Sequence, residues 1–245
     1  NNSIQVMNID IKKPKNINHL EFYKEIDLRD LKSLKFALEE FRPTHIIHLA
    51  ATTGMDDFEL KYFDANTVGV KNLVSVSNQL KDLKRVIFTS SLLVCRNGYI
   101  PKTPTEFCPP NKYGESKVIG EKIVREQCIK SWVIVRPTSI WGPWFETSYF
   151  KFFKTIKNGF YVNPGSTPIF KPLSYVGNTV YMYEKLLFSK SFSISFTFTL
   201  KFIPTPKTKF SILFDSNDAS INIPASFFPL IVRSFGHFSS VEILQ

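Results

Sequence analysis

Thr44-His45-Ile46-Ile47-His48-Leu49-Ala50 is a mostly apolar run without polar alternation. Such a run suits a parallel strand covered on both faces. Upstream, Leu31, Leu34, Ala37, Leu38 and Phe41 recur at helical spacing with Asp30 in an N-cap position, which predicts a helix over 31–41. Further up, Ile4–Asp10 is a β-branched, apolar run ending in an acid and a Lys/Pro turn, which predicts a strand entering a loop. Downstream, 66–80 is helical in period, Arg85–Ser90 is strand-like through Val86, Ile87 and Phe88, 113–128 is helical, and Trp132–Val135 reads as another buried strand. Strands and helices alternating at this pace imply right-handed βαβ units. The expected fold is therefore α/β, a doubly wound parallel sheet up to about Ser189 with a small C-terminal region.

Composition narrows the class. The chain has 245 residues, 43% apolar and 21% charged, ordinary for a globular protein. No run approaches the roughly eighteen apolar residues of a membrane span, and the opening residues carry neither a basic nor an apolar leader pattern, so a soluble cytoplasmic protein without a membrane partner is expected. Cys95, Cys108 and Cys128 lack metal or disulfide spacing and read as buried or incidental thiols. The net charge of +10 is dispersed: Lys12, Lys13 and Lys15, and Lys81, Lys84 and Arg85, read as solvated turns, so no nucleic-acid partner is expected. A dispersed basic surface still favours an anionic substrate. His19, His45, His48 and His237 are scattered and read as surface or satisfied structural histidines.

Tyr113-Gly114-Glu115-Ser116-Lys117 places a phenol and an ammonium four residues apart at a helix start, on one face. An ammonium near a phenol favours the phenolate, so Tyr113 is expected to titrate low and to serve as a general acid/base. Alone the spacing is common, but its neighbours stand in a telling order. Thr89-Ser90-Ser91 follows a buried strand, where open α/β sheets place ligands. Asp27-Leu28-Arg29-Asp30, His48-Leu49-Ala50-Ala51 and Asn66-Thr67-Val68-Gly69 precede it, and Val135-Arg136-Pro137-Thr138 comes after.

Over residues 4 to about 187 these motifs together resemble the extended short-chain dehydrogenases, the NAD-dependent epimerase/dehydratase family acting on nucleotide sugars. The resemblance implies a catalytic set of Ser91, Tyr113 and Lys117. Tyr113 would move a hydroxyl proton, Ser91 would steady the reacting oxygen, and Lys117 would also hold the nicotinamide ribose. Asp10 matches the acid that accepts from the adenosine ribose, Asp27 and Leu28 border the adenine, Leu49, Ala50, Ala51 and Asn66 line the cofactor, and Pro137 and Thr138 its nicotinamide end. An acid at Asp10 favours NAD over NADP, which would bring a 2′-phosphate to like charge; Lys12 and Lys13 act against that preference. A nucleotide-sugar substrate and a homodimer are implied. Ser174-Tyr175-Val176-Gly177-Asn178 resembles a segment returning to the substrate region, with Lys171 before it as a diphosphate contact. Phe152, Phe153, Phe160 and Tyr161 read as core packing ahead of a sugar or base pocket.

Three departures shape the functional expectation. No glycine-rich turn precedes Asp10, so an N-terminally truncated family member that binds NAD poorly is expected. Leu92 and Leu93 stand where sugar dehydratases of the family resemble one another in carrying an Asp-Glu pair, which leaves an epimerase or a sugar reductase/dehydrogenase. Beyond Ser189 the chain holds eight charged residues but ten of the 24 phenylalanines; Ser191–Phe202 alternates as a half-buried strand does, and prolines interrupt the remaining residues. Residues 190–245 thus read as an atypical Ser/Phe-rich tail to the domain 1–189, with two readings open: an edge strand of the domain, or a stretch that is not its native continuation. Two classes of function stay open: a hydride-transfer enzyme, and a catalytically inactive remnant.

Overall fold

The computed structural model describes residues 4–54, 59–143, 147–160, 173–188, 194–197, 200–204 and 210–214. Two compact units emerge: residues 1–136 with 183–196, and residues 137–182 with 197–245. The apolar runs become strands of the first unit. β1 (Asn8–Asp10) and β2 (Tyr23–Glu25) pair in parallel as one ribbon. β3 (His45–His48), β4 (Arg85–Thr89), β5 (Trp132–Arg136) and β8 (Ile194–Thr197) form the main sheet in the order β3-β4-β5-β8. β3, β4 and β5 are parallel, with Ile47 opposite Ile87 and Phe88 opposite Ile134. Part of the alternating stretch after Ser189 thus supplies a strand beside β5; the rest of the tail lies outside the described residues apart from two strands of the second unit.

α1 (Leu31–Phe41) spans the predicted residues, with the Asp30 carboxylate accepting from Lys32 N and Ser33 N. It ends at Arg42 in the left-handed conformation (φ 52°), whose N–H reaches Leu38 O, and Pro43 then prevents continuation. α2 (Asp64–Gln79) and α3 (Lys112–Gln127) come next, the latter capped by Asn111. Alternate residues of β4 face opposite ways. Val86 and Phe88 pack with Ile134 against Leu34, Leu38, Val70, Leu73, Val74 and Val124 from α1, α2 and α3. Ile87 packs with Val133 and Val135 against Tyr183 and Leu186. Helical side chains therefore cover both faces of β4, as its uninterrupted apolar run requires.

The second unit holds β6 (Ser139–Trp141), parallel to β7 (Leu173–Tyr175), and α4 (Thr147–Lys157). α5 (Val176–Leu187) starts here and supplies its last turns to the first unit. β9 (Leu200–Pro204) and β10 (Phe210–Phe214) form an antiparallel hairpin. The Trp141 ring lies 5.3 Å from Phe153 and 5.0 Å from Tyr175, consistent with core packing, whereas Phe160 is exposed. Tyr161 and Lys171 lie outside the described residues.

The expectation for Arg85 needs correction. It is buried, donating to Leu186 O at 2.7 Å and to Ser131 Oγ at 3.2 Å, so it bridges elements rather than sitting in a solvated turn. The three cysteines are half-buried.

Candidate active site

The strands of the first unit deliver their C-terminal ends to the candidate residues: Asp10 closes β1, Asp27 and Leu28 come after β2, Leu49–Ala51 after β3, and Ser91 after β4. Ser91 is buried and caps a 3-10 turn over Leu92–Val94, its Oγ accepting from Leu93 N at 3.1 Å. Tyr113, in the first turn of α3, is half-buried and hydrogen-bonded to Ser91. Its ring centroid stands 5.9 Å from that of Phe63 and 5.9 Å from Lys117 Nζ.

The seat of Tyr113 depends on Gly114. A Cβ there would come within 2.2 Å of Leu93 O and 3.1 Å of Pro109 Cβ. Only a residue without a side chain lets the start of α3 lie this close to the Ser91 turn.

Lys117 is buried and donates to Thr89 O at 3.1 Å, which ties the helix to the end of β4. Burial pulls its ammonium down to about 8, with Glu121 acting in the opposite direction. Burial also raises the Tyr113 phenol above its ordinary value, while the Ser91 hydrogen bond lowers it. The lowering expected of Lys117 is thus not found: burial dominates, and the one opposing influence comes from Ser91.

Because the folded value for Lys117, about 8, lies below the ordinary 10.5, the unfolded chain holds this proton more tightly. The burial penalty is complete below pH 8 and fades as pH rises toward 10.5, so this group's contribution to stability improves over that window. Lys117→Met should therefore stabilise the fold by about 2 kcal/mol at pH 7, from a shift worth ~1.4 kcal/mol per unit less about 1 kcal/mol for the lost hydrogen bond. Urea unfolding at pH 7 and pH 10 should show that gain shrinking at the higher pH; a constant difference would refute it.

Beneath Lys117 lies a buried ion pair that sequence reasoning misses. Arg136 donates from Nε to Glu121 Oε1 and from Nη2 to Glu121 Oε2, both at 2.7 Å, and its Nη2 also reaches Pro104 O at 2.6 Å. Arg125 approaches Glu121 at 3.4 Å. Glu121 stands four residues after Lys117 on the same helix face, the one sequence signal that could have found it.

His48, Thr89, Ser90, Asn66, Lys117 and Glu121 line a cavity of about 20 Å³, room for one water molecule. His48 Nε2 and Ser90 Oγ are buried without a hydrogen-bond partner among the described residues, so His48 is not the satisfied structural histidine expected. Burial, then the Lys117 charge, pushes its imidazole down to about 3, so it is neutral at physiological pH.

Asn66 is fully buried: its amide donates to Thr52 O and Ser116 Oγ and accepts from Thr52 N, all at 2.9 Å. It fixes the loop after β3 against α3. Leu49 is 63% exposed, with Ala50 and Ala51 half-buried beside it. The half-buried Asp10 accepts from Lys12 N at 2.9 Å. Asp27 is clamped by Arg29, whose hydrogen bonds hold the carboxyl below its ordinary range, and Leu28 O accepts from Asn72. Pro137 and Thr138 are half-buried in the second unit.

A family model described as NAD dependent epimerase/dehydratase matches residues 2–181. The chain is similar to the N-acetyl-alpha-D-glucosaminyl-diphospho-ditrans,octacis-undecaprenol 4-epimerase of Escherichia coli O157:H7, 33% identical over 171 residues that make up 65% of this chain and 50% of that protein. It is also similar to a 3-beta-hydroxysteroid dehydrogenase of Mycolicibacterium neoaurum, 30% identical over 151 residues, 58% of this chain and 41% of that one. The fold is similar to that of the Bordetella bronchiseptica enzyme WbmG, solved with NAD and UDP, at a TM-score of 0.61 and 22% identity over 72% of this chain and 57% of that one. The chain spans half or less of the length of the two curated relatives. No described helix is long and apolar enough to cross a membrane.

Proposed function

The chain belongs to the NAD dependent epimerase/dehydratase family, and we propose that it carries the proton-transfer half of an NAD-dependent nucleotide-sugar epimerase or sugar reductase/dehydrogenase. The observation that carries this reading is the Tyr113 phenol hydrogen-bonded to Ser91 beside the buried Lys117 ammonium. An alcohol oxygen between Ser91 and Tyr113 would give up its proton to Tyr113, or take one from it, while Ser91 Oγ holds that oxygen in place. Lys117 supplies positive charge that favours the phenolate when the proton leaves. A bound nicotinamide would accept or return the hydride at the carbon bearing that oxygen. Leu92 and Leu93, next to Ser91, offer no further acid or base, which favours epimerisation or simple oxidoreduction over loss of water.

The residues of the first unit fit such a cofactor. Asp10 presents a carboxylate at the C-terminal end of a parallel strand, where it can accept from ribose hydroxyls, and Leu49 gives an exposed apolar surface after the edge strand of the main sheet. The carboxylate favours NAD over NADP. The competing reading, an inactive family member without stable cofactor binding, is supported by the divided sheet: among the described residues β1 and β3 each have a strand on one side only. NADH fluorescence titration decides between them. Saturable binding, with Asp10→Ala narrowing the preference over NADPH, supports the enzyme reading. No response at any NADH or NADPH concentration leaves the inactive one, and unchanged discrimination in Asp10→Ala moves cofactor selection to Lys12 or Lys13.

A further inference from the structure

The loop between the Ser91 turn and α3 is closed at its base by an isolated parallel bridge that places Cys95 directly opposite Cys108. Arg96 N donates to Cys108 O at 2.7 Å and Cys108 N donates to Val94 O at 3.0 Å, which fixes that register. Neighbouring strands run about 4.8 Å apart, and residues paired in a parallel register carry their side chains on the same face. A separation near that spacing lies inside the range of about 4.4–6.8 Å between Cα atoms that a disulfide bridges. Both thiols also lie within electrostatic reach of one group, the Tyr99 hydroxyl, which is hydrogen-bonded to Glu106; Cys95 Sγ donates to Glu106 O at 3.6 Å. Both are half-buried, so a small oxidant can reach them.

We propose that Cys95 and Cys108 form a reversible intramolecular disulfide by exchange with a small-molecule disulfide such as oxidised glutathione. One cysteine thiolate attacks a glutathione sulfur, forming a mixed disulfide and releasing one reduced glutathione. The second cysteine attacks the protein sulfur of that mixed disulfide, forming the Cys95–Cys108 bond and releasing the other glutathione. The two protein thiols are oxidised, the glutathione disulfide is reduced, and the two thiol protons end on the two glutathiones. The pair closes the loop whose two ends carry the Ser91 turn and the start of α3, because Leu93 and Pro109 both rest against Gly114. The crosslink itself does not depend on the reading of Ser91 and Tyr113 as catalytic; its consequence for them does.

The test is made on the whole chain, treated with oxidised glutathione, alkylated and digested with trypsin without reduction. The expected result is an intact mass lower by two hydrogens before alkylation, one alkylated cysteine, Cys128, and a linkage between the peptides 86–96 and 103–112 that dithiothreitol separates. Cys95→Ser and Cys108→Ser should each abolish the linkage, and Cys128→Ser should leave it intact. Stable glutathione adducts on Cys95 or Cys108, a linkage that includes Cys128, or an unchanged mass would each overturn the proposal. The peptide map of the unsubstituted chain decides the matter even where a variant folds poorly, and NADH titration of the reduced chain reads the cofactor proposal separately.

Discussion

Arg136→Met should cost the fold about 3–5 kcal/mol, the usual scale for breaking a buried ion pair from one side. The guanidinium makes two hydrogen bonds of 2.7 Å to Glu121 and a third to Pro104 O, and both charged side chains are buried. Removing it leaves the Glu121 carboxylate with Arg125, 3.4 Å away and partly exposed, as its remaining cationic neighbour within ion-pair distance among the described residues. The cost is that of a buried carboxylate left with one longer, partly exposed counter-charge, beyond the three lost hydrogen bonds. Replacing both partners, as Glu121→Met with Arg136→Met, should therefore recover most of the loss, because apolar residues of similar volume need no counter-charge. Urea unfolding of the two single variants and the double variant measures this as a coupling energy. Equal losses in the single and double variants would show that the pair contributes only packing. Such a loss is a large fraction of the stability of a domain this size.

The contrast between what the sequence discloses and what it conceals comes from the range of the interactions. α1 is legible to the residue because its signals are local: an apolar stripe at helical period, an acid that caps the first turn, and a proline after the last. β4 and β5 are legible because burial on both faces removes polar alternation, which a short window detects. Ser91, Tyr113 and Lys117 can be ordered along the chain, and the fold brings Ser91 and Tyr113 into hydrogen-bond contact through a glycine, Gly114, whose neighbour Leu93 is far from it in sequence. Arg136 and Arg85 cannot be read, since a lone arginine at a strand end looks the same whether solvent or Glu121 receives it. The titration of Tyr113 escapes the sequence for the same reason. Spacing shows that an ammonium is near, but not that burial sets the direction in which the phenol titrates. Resemblance alone places Asn66 on the cofactor, whereas its amide holds the loop after β3 to Ser116 of α3, a contact between residues that no local pattern connects.

Tyr113→Phe should lower turnover by about two to four orders of magnitude, the contribution typical of a positioned general acid/base. The substitution removes one oxygen and keeps the ring, so the packing against Phe63 and the approach of Lys117 should survive. Ser91 loses a hydrogen-bond partner but keeps the bond from Leu93 N, which limits the structural change to the site itself. A nearly unchanged unfolding curve and unchanged NADH binding are therefore expected alongside the loss of rate, and this combination separates chemistry from folding. Burial raises the phenol above its ordinary value, so the uncomplexed site holds Tyr113 protonated at neutral pH. Proton abstraction in the oxidising direction should then become faster as pH rises, and the reverse direction, in which Tyr113 donates, should not. The Phe variant should lose this pH dependence along with the rate. A variant that retains near-normal turnover with the same pH profile would place the transferred proton on another group, and the Ser91 hydroxyl would be the next residue to substitute.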